Sequence, residues 1–168
     1  MQPRSPVPFA SAGVRALVRL HEEELQKLLD AWRDAKAAGV TLPKSSDPAY
    51  ANLDALIAHP LRSARGYVTW ICDKLGFPPP QIPEPPAPER VELEAETYLD
   101  ALFRGWEDSL APLTDEILDA NEVYPARWGT PMAIEAMLEH AVVHPMRHRA
   151  QLVRLLWEQR AAEEEPDM

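Results

Sequence analysis

Cysteine occurs once in the 168 residues, as Cys72. That excludes an internal disulfide and any zinc site built from a set of cysteines, and it sets a reducing, cytoplasmic location as the expectation. Glycine is scarce, with 6 residues, while Ala, Leu and Glu are abundant, which favours helix over sheet. Positive charge is in deficit: 17 Lys and Arg stand against 27 Asp and Glu, giving a net charge of −10. Binding to phosphates requires clustered cations, so neither a nucleic acid nor an anionic membrane surface is an expected partner. No apolar run reaches the length of a bilayer span, and Met1 to Ser11 has no apolar signal core.

What is present describes an ordinary globular chain, 46 % apolar and 26 % charged. Its length suits one domain over residues 1–168, with a core from about 12 to 158. Four segments carry apolar residues at helical spacing. The first runs from Ser11, an N-cap, to Ala38, with Gly39 placed to end it. The second is expected to start at Asp47-Pro48, a cap followed by Pro at the first helical position, and to reach Gly76. The third covers about Glu89 to Leu110, with Pro112 ending or kinking it. The fourth is expected to start at Thr130-Pro131 and run to about Arg160, ahead of an acidic, frayed tail over 161–168.

Between the second and third segments lies Phe77 to Pro88, with seven of the 18 prolines. It cannot be helix. As polyproline II, about twelve residues reach ~37 Å, the length of a ~25-residue helix. This crossover can therefore run the length of a bundle and let the second and third helices be parallel. The expected fold is an all-α four-helix bundle with its second and third helices parallel and no sheet.

The five histidines are His21, His59, His140, His144 and His148. The last three recur every four residues on one helix. Ile134, Met137, Ala141, Leu152 and Leu155 define that helix's apolar stripe; at about 100° per residue, His144 and His148 fall within ~20° of its centre and His140 nearer its edge. Two imidazoles aimed into a core need partners, since each unsatisfied ring costs about 1–3 kcal/mol. A shared metal would satisfy them; so would core hydrogen bonds, or a helix rolled to bring them to solvent. A third ligand has to come from elsewhere. His59, mid-helix in the second segment and followed by Pro60, is a candidate at the edge of its stripe. The Glu-x-x-His pairs of a di-iron bundle and the His-Glu-x-x-His of a zincin are both missing from the sequence.

Ala58-His59 together with His140-Ala141-Val142-Val143-His144-Pro145-Met146-Arg147-His148-Arg149-Ala150-Gln151 resembles the DinB/YfiT-like superfamily of metal-dependent enzymes. Its helical motif looks like His-x3-His-x3-His-Arg-x-Gln. The resemblance implies an up-down-down-up bundle and His59, His144 and His148 as ligands of one divalent ion, Zn, Ni or Fe, with His140 outside the ligand set. Pro60 and Pro145 depart from the motif, and Pro145 is expected to kink the helix inside the site.

The resemblance implies thiol transfer or addition to a small electrophile, or hydrolysis, with a low-molecular-weight thiol as a second cofactor, and a homodimer. The alternative is a non-catalytic metal-binding bundle, structural or stress-related; a structural zinc site is usually closed by four protein ligands, and only three are found. Arg62 and Arg147 are candidates for holding the carboxylate of an acidic thiol or substrate, against the plainer reading of surface ion pairing. His140 and Glu139 are candidates for orienting the ligands or moving a proton, against the plainer reading of Glu139 as solvated helix face. Trp128, just ahead of the fourth helix, is placed to line a pocket mouth.

Overall fold

The computed structural model describes residues 7–164 and is mostly helical. Residues 1–6, and the part of the expected acidic tail from 165 on, lie outside the described residues. Four long helices dominate: α1 (Ala12–Ala37), α2 (Leu53–Leu75), α3 (Val91–Leu110) and α5 (Ile134–Glu164), with a short α4 (Asp115–Asp119). Ser11 caps α1, its hydroxyl accepting from the Val14 amide at 3.1 Å. Gly39, at φ +69°, takes the left-handed position that ends it.

Two helix starts differ from expectation. Asp47 and Pro48 do cap and open a helical turn, but it is a single 3₁₀ turn over Pro48–Tyr50. Asn52 then goes extended and its side chain accepts from the Ala55 amide at 2.8 Å, so α2 proper begins at Leu53. At the other site, Thr130-Pro131 opens no helix. Pro131 lies in a strand, and α5 starts at Ile134.

That strand corrects the expectation of no sheet. Val123–Pro125 (β1) pairs antiparallel with Pro131–Ala133 (β2), with Tyr124 opposite Met132 and Pro125 opposite Pro131. Two prolines facing each other give up ladder hydrogen bonds, which a two-stranded ribbon with free edges tolerates. The tip is closed by the Ala126 amide donating to the Thr130 carbonyl at 3.0 Å, with Gly129 at φ +87°. The hairpin rests on the core: Ala126 at its tip belongs to the buried cluster, and Tyr124 and Met132 pack against it.

α2 runs unbroken through Pro60 and α5 through Pro145. One buried cluster draws on all four long helices, including Leu25, Leu28 and Leu29 of α1, Leu56, Ile57 and Ile71 of α2, Leu99, Leu102 and Trp106 of α3, and Met137, Ala141 and Leu152 of α5. Polar contacts tie the helices at defined heights. The Tyr98 hydroxyl donates to the Leu61 carbonyl at 3.3 Å, and the Trp106 indole to that of Ala64 at 3.2 Å. Lys36, at the end of α1, meets Asp54 at 3.0 Å and Glu92 at 2.9 Å, near the starts of α2 and α3. Glu24 of α1 holds Arg149 of α5 at 3.0 Å, and the Gln159 amide donates to the Ala38 carbonyl at 2.8 Å.

The crossover over residues 77–87 has neither helix nor strand, and it turns where the Ile82 amide donates to the Pro80 carbonyl at 3.0 Å. It is pinned by Ile82, 6 % exposed, which fills the place a side chain at Gly105 of α3 would take: a Cβ there would stand 2.2 Å from Ile82 Cγ1. Arg65 of α2 adds an ion pair to Glu84 and a 3.3 Å hydrogen bond to the Ile82 carbonyl.

Candidate metal centre

His144 and His148 sit one turn apart on α5, and His59 faces them from α2. Their side chains converge through Nε2: His59 Nε2 lies 3.1 Å and His148 Nε2 3.3 Å from His144 Nε2. One ligand atom from each of the three lies within 4.8 Å of the others, so the set is positioned to hold a metal ion. The rings meet edge to face, with centroids 4.8–5.4 Å apart.

The spacing suits an ion. Zn–N bonds of about 2.0–2.1 Å give a tetrahedral edge near 3.3–3.4 Å between ligand nitrogens, close to the 3.1 and 3.3 Å found. Protonation alone handles the cluster badly. A neutral imidazole has one donor and one acceptor, and the Nδ1 atoms of His144 and His148 are buried without partners. Burial, reinforced by the neighbouring imidazoles, lowers the pKa of His144 to about 3. Burial also lowers that of His148 to about 4 and that of His59, whose drop Asp47 opposes. All three rings are thus neutral at physiological pH, with lone pairs to offer.

His140 lies outside this set. Its ring stacks on His144, centroids 5.9 Å apart, and its Nε2 is 3.2 Å from the Tyr67 hydroxyl. Glu139 is exposed, and no hydrogen bond joins it to the histidines among the described residues. Arg149, next to His148, is held by Glu24 at 3.0 Å. Gln151, one turn on, is the polar neighbour that favours the protonated form of His148.

A pocket of about 550 Å³ opens beside His59 and His144. One wall is a single face of α2: His59, Arg62, Ser63, Gly66, Tyr67 and Trp70. Met137 and His140 of α5 form another, and Arg127 and Trp128, from the hairpin tip, form the lip. Trp128 lies 5.3 Å from His140 and meets Tyr67 edge-on at 6.5 Å. The hairpin is fixed to α2 by the Trp70 indole, which donates to the Pro125 carbonyl at 3.1 Å. Of the two arginine candidates, both exposed, Arg62 lines this pocket and Arg147 borders a separate depression with Tyr50, Gln151 and Arg154. The i, i+4, i+8 spacing of His59, Ser63 and Tyr67 was a signal available in the sequence for the α2 wall; nothing local marked Arg127.

A helical protein with three histidines gathered between two of its long helices, beside an open pocket, defines a class of candidate metal proteins. A sequence model described as the DinB family matches residues 51–160, more than half of the chain and the stretch holding all three histidines. The chain belongs to the DinB family. No curated protein and no solved structure matches it.

Proposed function

We propose that this protein is a metal-dependent enzyme in which His59, His144 and His148 hold one divalent ion, Zn, Ni or Fe, and a small molecule reacts in the adjoining pocket. The convergence of the three Nε2 atoms at the wall of that pocket carries the reading. An ion held by three neutral imidazoles keeps its full charge and supplies Lewis acidity, which brings a thiol or water towards ionisation near neutral pH. Thiol transfer or addition to a small electrophile, or hydrolysis, are the reactions that fit, with a low-molecular-weight thiol as co-substrate in the first two. The Tyr67 hydroxyl, held by His140, is the wall group able to donate a hydrogen bond to negative charge forming in the pocket. Arg62 orients an acidic substrate.

A non-catalytic, structural metal site is the rival. The ligand set favours the enzyme, because structural zinc sites are usually closed by four protein ligands and the cluster offers three among the described residues.

The same reading takes the chain as a single domain and a four-helix bundle running up, down, down, up. Rising residue numbers in both partners (Leu61 with Tyr98, then Ala64 with Trp106; Glu24 with Arg149, then Ala38 with Gln159) support parallel pairs α2/α3 and α1/α5. The opposite trend, His59 with His144 and Tyr67 with His140, supports an antiparallel α2/α5 pair. No described helix is long and apolar enough to cross a membrane, and the lone, buried Cys72 suits a cytoplasmic location.

A homodimer is proposed through α5. Val143, Met146, Ala150, Val153 and Trp157 form an exposed stripe at alternating spacings of three and four, with Trp157 69 % exposed. Glu135 and Glu139 lie beyond one end, while Arg147 and Arg154 flank the rest. An antiparallel two-fold pairing sets the acidic end of one copy on the basic part of the other.

Elemental analysis tests the ion. About one divalent metal per chain is expected in the wild type, with loss in His148→Ala and in His59→Ala after a chelator wash. Full retention in either variant removes that residue from the site. Loading with Co(II) and titrating small thiols and azide tests the open position: a visible spectrum unmoved by every ligand makes the site structural.

A further inference from the structure

We propose that the pocket selects a small anion with a flat apolar body, its charge held between Arg62 of α2 and Arg127 of the hairpin tip and its body lying against Trp128. This deepens the reading above and rests on it in taking the pocket as the substrate site.

Charge is the first observation. The chain carries −10 overall, yet no carboxylate lines the pocket and two guanidiniums do. Several arginines of the fold are neutralised, Arg19 by Glu107, Arg33 by Glu96, Arg65 by Glu84 and Arg149 by Glu24, while Arg15, Arg104, Arg147 and Arg160 are exposed, carry no ion pair among the described residues and do not line this pocket. Arg62 and Arg127 have no ion-pair partner among the described residues. Where acidic groups outnumber basic ones, two cations left unpaired at one cavity mark a place where an anion from outside is favoured.

Shape is the second. Trp128 is 51 % exposed, yet it is not a loose surface ring, because His140 and Tyr67 back it. The tip that carries it and Arg127 is short, closed by a turn and anchored through Trp70 to α2. A half-covered indole on a fixed support offers a stacking face at little entropic expense. The third is Gly66. It lines the pocket in mid-helix, where Gly is less favourable than Ala by about 1 kcal/mol, and an added Cβ would meet nothing within 4 Å. Packing does not demand glycine there, and its missing side chain leaves that space to the pocket.

The probe is naphthalene-1-sulfonate, a weak metal ligand with a full negative charge; its neutral counterpart is methyl 1-naphthyl sulfone. Both are titrated calorimetrically into the full-length, metal-loaded protein, with metal content measured for every variant. The sulfonate is expected to bind at least about tenfold more tightly than the sulfone, and added salt should erode that preference. Arg62→Gln and Arg127→Gln should each weaken sulfonate binding about fivefold, as partly exposed charge-assisted contacts do, and leave the sulfone and the metal content unchanged. Gly66→Leu should weaken both ligands without loss of stability, because it fills the cavity from a helix position. Equal binding of sulfonate and sulfone to the wild type overturns the proposal. So does a preference that survives the double Arg62→Gln, Arg127→Gln variant or that vanishes when the metal alone is stripped, since the anion is then held elsewhere or by the ion. A wild type that holds no metal yet keeps the arginine-dependent preference sinks the metal reading and leaves this one standing.

Discussion

His21 gives the sharpest test of the packing, because it is a titratable ring sealed in the core away from the histidine cluster. It is 1 % exposed, neither ring nitrogen has a hydrogen-bond partner, and the ring packs on Trp106 with centroids 4.1 Å apart. Burial lowers its pKa from 6.5 to about 3. The folded state therefore resists protonation that the unfolded chain accepts. The stability this ring permits is fully present above pH 6.5 and is lost as pH falls from there towards 3, at about 1.4 kcal/mol per pH unit. By pH 5 the loss is about 2 kcal/mol, and near pH 3 about 5 kcal/mol at most.

His21→Leu keeps a similar volume, removes the titration and removes two unpartnered polar atoms. At pH 8 the variant should be as stable as the wild type or more stable by about 1 kcal/mol, since the desolvation penalty of a buried polar group outweighs the lost ring contact. At pH 5 its advantage should widen by about 2 kcal/mol, or ~4–8 °C in Tm for a domain of this size. Urea unfolding of both proteins at pH 8, 6.5 and 5, each with and without a metal chelator, measures this. The chelator arm matters because His144 and His148 also have lowered pKa values and cancel between the two proteins only at equal metal loading. A stability difference that stays constant from pH 8 to pH 5 would falsify the buried, neutral state of His21.

Gly105→Ala should destabilise the protein by about 1–2 kcal/mol, although Ala is the better helix former, because the new methyl collides with Ile82; Ile82→Ala in the same chain should relieve much of that effect in a double-mutant cycle. Arg149→Met should lower stability by about 1–3 kcal/mol by leaving the buried Glu24 with Lys27 alone, and chemical denaturation at constant metal content will read it. Trp157→Glu should convert a dimer to monomer in light scattering at micromolar concentration; a wild type already at the 18.9 kDa monomer mass refutes the α5 interface outright.

The parts legible in the sequence were those encoded within one helix. The apolar stripe of α5 and the four-residue interval put His144 and His148 on the buried face, and the reach of the proline crossover left the second and third helices free to lie side by side. Caps were legible where a side chain serves its own helix, as at Ser11. They misled where two signals compete. Asp47-Pro48 starts only one turn because Asn52, five residues on, offers a second cap with extended backbone. Thr130-Pro131 looks like a helix start, but the Thr130 carbonyl is taken by the Ala126 amide across the hairpin. Neither outcome is visible in a local pattern, because each depends on which partner the rest of the fold supplies.

The misread hairpin matters more than its three-residue strands suggest. If the fourth long helix had begun at Thr130, residues 126–130 would form a linker, with nothing to hold Arg127 and Trp128 over α2. Because Pro131 sits instead in β2, the chain doubles back, the Trp70 indole ties Pro125 down, and the tip becomes the lip of the pocket. The histidines come from two long helices whose packing sets their positions, while the residues proposed to choose the substrate are divided between α2, with Arg62 and Gly66, and the tip of a short ribbon, with Arg127 and Trp128. Substitutions at Arg127 and Trp128, both exposed at the tip, are therefore expected to change what binds with little effect on the histidine cluster. On the proposed reading the histidine cluster depends on the packing of α2 and α5, and substrate choice depends on α2 together with the ribbon.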